Sequence, residues 1–427
     1  METRFDIILF GAAGLAGRYG VKYLRKLATQ KNLTWAVAGR SETKINSILS
    51  QLEEETGDKT ISKIPIILAD MSDKKTIQAM TSKTRVLVNA CGPLRTIGGI
   101  VVECCIETKT HYIDISGEEN FMHKLRLEYH EEAKKAGIYV VSACGFHSVL
   151  YDLGVLQLQE KFPGSLNSAD IFIKADRDVP SPGGPSYNVS SWKSIIDVTL
   201  NKRELKELAA RLPPINTPKL KPQNSPRYIP FRHQFEEGWA TMLKSCDIGV
   251  IQRTQQYMYQ EKKLRPVQIQ TYYMLKHLWY LFFVVTFGII FTLLVYFEFG
   301  RKLLLKYPFI FSCGLFDNKE PLKEMIETTW FRITLLGKGW KNKTVKPGEE
   351  YSSEPDHGMI IQYKGIDLAY GTTGLCAALS GIIMASETSK IPKTYGVITP
   401  GVAFGETTFM QQLLENGISA EVKEFPL

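Results

Sequence analysis

Short apolar runs alternate with stretches of helical periodicity over the first third of the chain. Phe5 to Phe10 is a compact apolar run, and a helical pattern from Arg18 to Ala28 follows it. Thr34 to Ala38 is the next run, then Ile64 to Ala69, Arg85 to Ala90, His111 to Ile115 and Gly137 to Ser142. Helical stretches such as Glu128 to Ala136 fall between them. Short runs apolar on both faces, separated by helices, predict a parallel, doubly wound α/β sheet over residues 1–150. In such a sheet ligands meet the carboxyl ends of the strands.

Beyond residue 150 the pattern changes. Asp170 to Lys174 reads as a strand, and Asp178 to Pro185 as a Pro/Gly-rich loop. Residues 213–230 hold prolines at 213, 214, 218, 222, 226 and 230, which forbids a continuous helix and predicts a long cover or partner surface. Met325 to Leu336 alternates like a strand. Asp367 to Ser386 is a helical stretch rich in Ala and Gly, and Gly396 to Phe404 is rich in turns before a last helix and strand.

Leu278 to Phe297 carries no charge over twenty residues. As a helix it matches about 30 Å of hydrocarbon. Trp279, Tyr280 and Tyr296 stand near its ends, where interfacial aromatics belong. Both flanks are basic, with Lys262, Lys263, Arg265 and Lys276 before it and Arg301, Lys302 and Lys306 after it. A straight span would part these flanks, so the positive-inside bias favours a stretch that dips into one leaflet or a lipid monolayer. A true span and a helix buried in the protein are the alternatives.

The chemistry concentrates where the first strand ends. Gly11, Ala12, Ala13, Gly14, Leu15, Ala16 and Gly17 form a G-x-x-G-x-x-G turn between strand and helix, the setting of a Rossmann phosphate cradle. The usual spacing is G-x-G-x-x-G, with Ala13 here at the second glycine. The second strand leads into Gly39, Arg40 and Ser41, where an NAD pocket places an acid for the ribose 2′-hydroxyl. Arg40 offers a guanidinium for a 2′-phosphate and Ser41 a further donor, which favours NADP(H) over NAD(H). Asp70, the Cys91-Gly92-Pro93 turn and Ser116 lie at other strand ends. There they are candidates to meet the adenine, the nicotinamide ribose and the cofactor edge.

The formal charge is +8, from 52 basic and 44 acidic residues. No Lys/Arg tract with interleaved aromatics argues for nucleic acid, whereas attraction to an anionic membrane surface fits. Seven cysteines, none in C-x-x-C spacing, read as reduced thiols and predict no metal site.

These residues resemble the saccharopine dehydrogenase-like oxidoreductases, a family that also resembles bacterial trans-acting enoyl reductases. The resemblance rests on GAAGLAG at 11–17, WAVAGRS at 35–41, CGP at 91–93, DISGE at 114–118, Gly145-Phe146, WKS at 192–194, Gln252-Arg253-Thr254-Gln255 and VITPGVAF at 397–404. It implies a dinucleotide-binding domain (1–150), an α+β substrate or dimerisation domain (151–395) carrying the apolar segment, and a last segment (396–427) folding back. It also implies association with lipid droplets or the cytosolic face of an internal membrane, and it leaves room for a homodimer. The chain departs from the family pattern at Leu94 and Ile97, where tyrosines are expected, and at His147 and Leu150, where an acid and a proline are expected. One reading is an NADPH-dependent reductase of a hydrophobic substrate, with His147 as the leading proton donor and Tyr151 and Glu118 behind it. The other is a nucleotide-binding or structural protein of lipid surfaces without turnover.

Overall fold

Each apolar run of the first third becomes a strand, and all but the edge strand β3 are largely buried. In chain order the elements are β1 (Phe5–Phe10), α1 (Leu15–Gln30), β2 (Trp35–Gly39), α2 (Glu42–Thr56), β3 (Ile66–Leu68), α3 (Lys74–Thr81), β4 (Thr84–Asn89), α4 (Leu94–Thr108), β5 (His111–Asp114), α5 (Glu119–Lys124), α6 (His130–Ala136) and β6 (Tyr139–Val141). They belong to a computed structural model describing residues 4–180, 183–349, 351, 353–367 and 369–427. Ile7, Ile8, Leu9, Val86, Leu87 and Val88 are all fully buried. A parallel sheet covered by helices on both faces selects such uninterrupted apolar strands. Two of the helices start at polar caps: Ser41 Oγ accepts from Lys44 N–H at 3.4 Å before α2, and the Asp73 carboxylate accepts from Lys75 N–H at 3.0 Å before α3.

The chain divides into two compact units, residues 1–156 with 369–417, and residues 157–368 with 418–427. The chain passes between them within α7 (Phe146–Lys161). In the first unit the sheet order is Gly396–Ile398, β6, β5, β4, β1, β2, β3, every pairing parallel. The edge strand at 396–398 comes from far along the chain. So does the helix Gly371–Ser386, almost wholly buried beside α1. Its small residues make that approach feasible. A Cβ on Gly374 would lie 2.6 Å from Tyr19 Cβ and 2.7 Å from Gly20 N, and one on Gly381 would lie 2.7 Å from Val88 Cγ2.

In the second unit a long strand, β7 (Gly164–Arg177), is the centre of a mixed sheet. Its order is Ser419–Pro426, His357–Ile366, Thr329–Lys341, β7, Gln268–Leu275, Glu236–Met242, Phe231–His233. The strand expected from Met325 begins later, at Thr329. The residues before it close a helical turn at Lys323–Thr328, with Thr328 and Thr329 hydroxyls donating back to the carbonyls of Glu324 and Met325 at 2.7 and 2.6 Å. The proline-rich stretch forms neither helix nor strand and covers one sheet face. Asn167 and Gln268 side-chain amides donate to Pro222 O at 2.9 Å each, Asn224 Nδ2 donates to Asp170 Oδ1 at 2.9 Å, and Arg227 N–H donates to Tyr272 OH at 3.3 Å.

The apolar stretch is an exposed helix, Trp279–Tyr296, long and apolar enough to cross a membrane. Phe282, Val284, Ile289 and Leu293 are each more than half exposed, so it is no core helix. Its far end is packed, where Val295, Leu304, Trp192 and Ile196 form a small buried cluster and Trp192 Nε1 donates to Leu304 O at 3.1 Å. At Phe297 the chain turns back sharply into a second helix, Glu298–Lys306. A Cβ on Gly300 would sit 2.1 Å from Leu294 O, and Arg301 Nη1 donates to Val295 O at 3.1 Å, capping the apolar helix.

Gly374→Ala places a methyl against Tyr19 and the Gly20 backbone. It is expected to lower stability by about 1–3 kcal/mol, the usual penalty for overpacking, read as a lower urea midpoint with an unchanged far-ultraviolet spectrum.

Candidate functional site

Parallel pairing sets the site by bringing distant strand ends to one edge. Phe10 lies opposite Ala38 and Asn89, Asn89 opposite Asp114, Ile113 opposite Val141, and Gly39 opposite Leu68. The turns leaving these strands therefore line up, with Gly11, Arg40, Asp70, Cys91, Ser116 and Gly145 along the carboxyl edge.

The glycine turn is built from backbone. Gly11 has φ +98°, its N–H donates to Ala38 O at 2.9 Å, and Gly14 N–H donates back to Gly11 O at 2.9 Å. A Cβ on Gly11 would meet Cys91 Sγ at 2.8 Å, and one on Gly17 would lie 2.1 Å from Gly11 O. Only glycine allows either position. Ala12 is buried, Ala13 half-buried, and exposed Gly14 is the residue before α1, which opens at Leu15. No side chain caps α1 and no acid stands in its first turn. Its first N–H groups and the positive end of its dipole face out at the strand edge, an arrangement that fits a pyrophosphate.

Arg40 is exposed at the end of β2. It is near enough to Asp70 to help hold that carboxylate below the usual range, although the larger cause is the N–H and hydroxyl of Ser72, at 2.9 and 2.7 Å. Asp70 is therefore already engaged in its own turn, and Ser41 in capping α2. Cys91 N–H donates to Asn89 Oδ1 at 3.0 Å, and burial pushes its thiol up to about 12, which keeps it protonated. The Gly92–Pro93 peptide is cis and leads into α4.

Glu118 has a structural task. Its two carboxylate oxygens accept the N–H groups of Leu94 and Arg95 at 3.1 and 2.8 Å, capping α4 across the strand edge, and its own N–H donates to Ser116 Oγ at 3.0 Å. His147 and Tyr151 come together one turn apart on α7, rings 5.7 Å apart and nearly parallel, with Tyr151 buried. Leu94 and Leu150 are buried, and Ile97 packs partly against the apolar core beneath α4.

Asp114 escaped the sequence reading as a site residue. It is fully buried, and its Oδ1 accepts from Ser116 N–H, Ser142 Oγ and Ala143 N–H at 2.8, 2.7 and 3.2 Å, tying the ends of β5 and β6 together. Burial raises its carboxyl to about 6 despite these donors. The signal was present: an acid ending a buried strand, with serine two residues on.

Because the folded state binds this proton more tightly, the stabilisation is complete below about pH 4 and is lost as pH rises through about 6, a change of about 3 kcal/mol. Asp114→Asn keeps the acceptor oxygen and removes the titration. Urea midpoints at pH 4 and 7 should therefore show the variant gaining on the parent by about 2 kcal/mol across that interval. Glu118→Ala should cost about 1–2 kcal/mol of stability through the lost cap, and Glu118→Gln, which keeps one acceptor, less than half of that.

Residues 7–141 match the family described as the saccharopine dehydrogenase NADP binding domain. A saccharopine dehydrogenase-like oxidoreductase of Homo sapiens is 31% identical over 99% of this chain and 98% of its own. A lipid droplet localized protein of Caenorhabditis elegans is 29% identical over 99% of both chains. Among solved structures, the saccharopine dehydrogenase (L-Glu forming) of Saccharomyces cerevisiae superposes with a TM-score of 0.52 over 98% of this chain and 100% of that one, at 14% identity, which is a likeness of fold. With this coverage and the glycine cradle at the strand edge, the chain belongs to the saccharopine dehydrogenase-like oxidoreductase family and carries a nicotinamide-dinucleotide-binding domain.

Proposed function

We propose that the protein is an NADP(H)-dependent oxidoreductase that acts on a lipid-like substrate at a lipid-droplet or cytosolic membrane surface. The observation that carries this is the uncapped start of α1 above the Gly11–Gly17 turn, with exposed Arg40, and no acid, at the end of β2. The N–H groups of α1 would hold the pyrophosphate, and Arg40 would pair with the 2′-phosphate. The bound cofactor supplies hydride transfer. The protein's part is to orient it, exclude water and deliver a proton, for which His147 beside Tyr151 is the best-placed group. Glu118 is a weaker candidate, because both its oxygens already hold α4. The exposed apolar helix and the droplet-localised nematode relative support the lipid surface.

A second reading, nucleotide binding without turnover, draws on one feature. Leu94 and Ile97, where the family pattern leads one to expect tyrosines, belong with the apolar core and present no hydroxyl at the strand edge.

Titration of the full chain with NADPH and NADH, followed by nicotinamide fluorescence, separates these readings from no cofactor use at all. NADPH should bind about 10–100-fold more tightly than NADH, and Arg40→Ala should erase that preference by weakening NADPH alone. Failure of both cofactors to bind would sink the proposal. Binding without oxidation of NADPH by any acyl or enoyl lipid would favour the second reading.

A further inference from the structure

The second unit holds a cleft that the dinucleotide reading leaves unused. It encloses about 730 Å³ between β7 and the strands at 231–242 and 329–341. Lys174, Arg232, Lys276 and Arg332 line it, against two carboxylates, Glu236 and Glu237. Glu236 is spent internally: its buried carboxylate takes Arg332 Nη1 at 3.3 Å and Gln362 Nε2 at 3.1 Å, and it accepts the Thr334 hydroxyl. Glu237 is exposed, and its backbone carbonyl accepts Lys174 Nζ at 3.2 Å. Lys276 Nζ lies 3.7 Å from the Asp176 carboxylate. His233, in the wall, is driven by burial to titrate near 4, so it is neutral at physiological pH.

Two indoles shape the cleft. Arg232 lies over Trp239 with Cζ 5.0 Å from the ring centre, and Arg332 over Trp330 at 5.5 Å. Trp330 is fixed by its Nε1 donating to Asp178 at 2.9 Å. A guanidinium held over an indole face is positioned by the ring, and those of its N–H groups that are not already paired can grip an anion. Arg332 Nε is buried with no hydrogen-bond partner.

The position of the cleft names its ligand. Lys276 precedes Trp279, the first residue of the exposed apolar helix, by three residues, a chain length of at most about 11 Å. Trp279 and Tyr280, rings 4.1 Å apart, put aromatic residues of the kind found at headgroup depth at the end of the helix nearest the cleft. We propose that this cleft binds the anionic phosphate headgroup of a membrane or droplet lipid, holding the protein at the surface in one orientation while the helix enters the apolar phase. The assignment does not depend on cofactor binding and stands or falls separately from it.

The test is flotation of the full chain on phosphatidylcholine-coated droplets with and without phosphatidic acid. Phosphatidic acid should strengthen recovery of the parent protein. Arg232→Gln combined with Lys276→Gln, both exposed, should reduce that gain by about tenfold while leaving recovery on neutral droplets unchanged. Lys302→Gln combined with Lys306→Gln removes the same charge beyond the helix and should keep most of the gain. Equal losses in the two pairs would mean diffuse attraction and overturn the proposal, as would a full gain in the Arg232/Lys276 pair. Tryptophan fluorescence gives the other arm. A short-chain soluble phosphatidic acid should shift the emission of Trp239 and Trp330 at concentrations where inorganic phosphate does not. An equal response to inorganic phosphate would assign the cleft to a free anion.

Discussion

The approach of α1 to the turn beneath it governs the dinucleotide-binding unit. A side chain at Gly17 would stand 2.1 Å from Gly11 O, and one at Gly11 would strike the Cys91 turn. With both absent, the helix start drops onto the end of β1 and its unbonded N–H groups face the strand edge. Everything else there is arranged around that contact. β2 delivers Arg40 beside it, β4 brings Cys91 against it, and the helix Gly371–Ser386 presses on α1 from behind through Gly374 and Gly20. A helix packed this closely at its start and along its back needs small residues on two sides, and the chain supplies them from segments far apart in sequence.

The carboxylates at the strand edge show how a polar residue in a promising place is claimed by the fold. Asp70 holds Ser72, Glu118 holds the start of α4, and Asp114 ties β5 to β6. Loops that leave a buried sheet carry backbone N–H groups with no strand partner, and each must find an acceptor. Short acidic side chains are the nearest ones. Arg40 is exposed at the end of β2, and the His147 and Tyr151 rings stack one turn apart on α7, on the two sides of the sheet order.

In the second unit the central constraint is a helix whose apolar faces have almost nothing to pack against. One end is pinned by Trp192 and Leu304, and the turn at Phe297 sends the chain back beside it. The other end, next to Lys276 and only a few residues after the sheet strand Gln268–Leu275, is rich in aromatic rings. A surface that exposes this much apolar area in water is stable only against another apolar phase. The helix is exposed along most of its length, which rules out a core helix, and its basic flanks are what favours a shallow anchor over a straight span.

The sequence by itself determined the parallel sheet, the glycine cradle and the apolar segment. Each is local: a run of buried residues, a turn that only glycine permits, twenty uncharged residues in succession. It also placed Arg40, because the end of the second strand is a fixed distance along the chain from the first. Which polar groups remain available was decided only by tertiary structure. Glu118 and Asp114 read alike as acids at a strand end, and only the packing of α4 and β6 shows one spent as a cap and the other buried with its carboxyl raised to about 6. The edge strand at 396–398, the buried helix at 371–386 and the cationic cleft likewise arise from contacts between segments separated by tens to hundreds of residues. No periodicity records such contacts, because they are selected by complementary shape and charge rather than by neighbours in the chain.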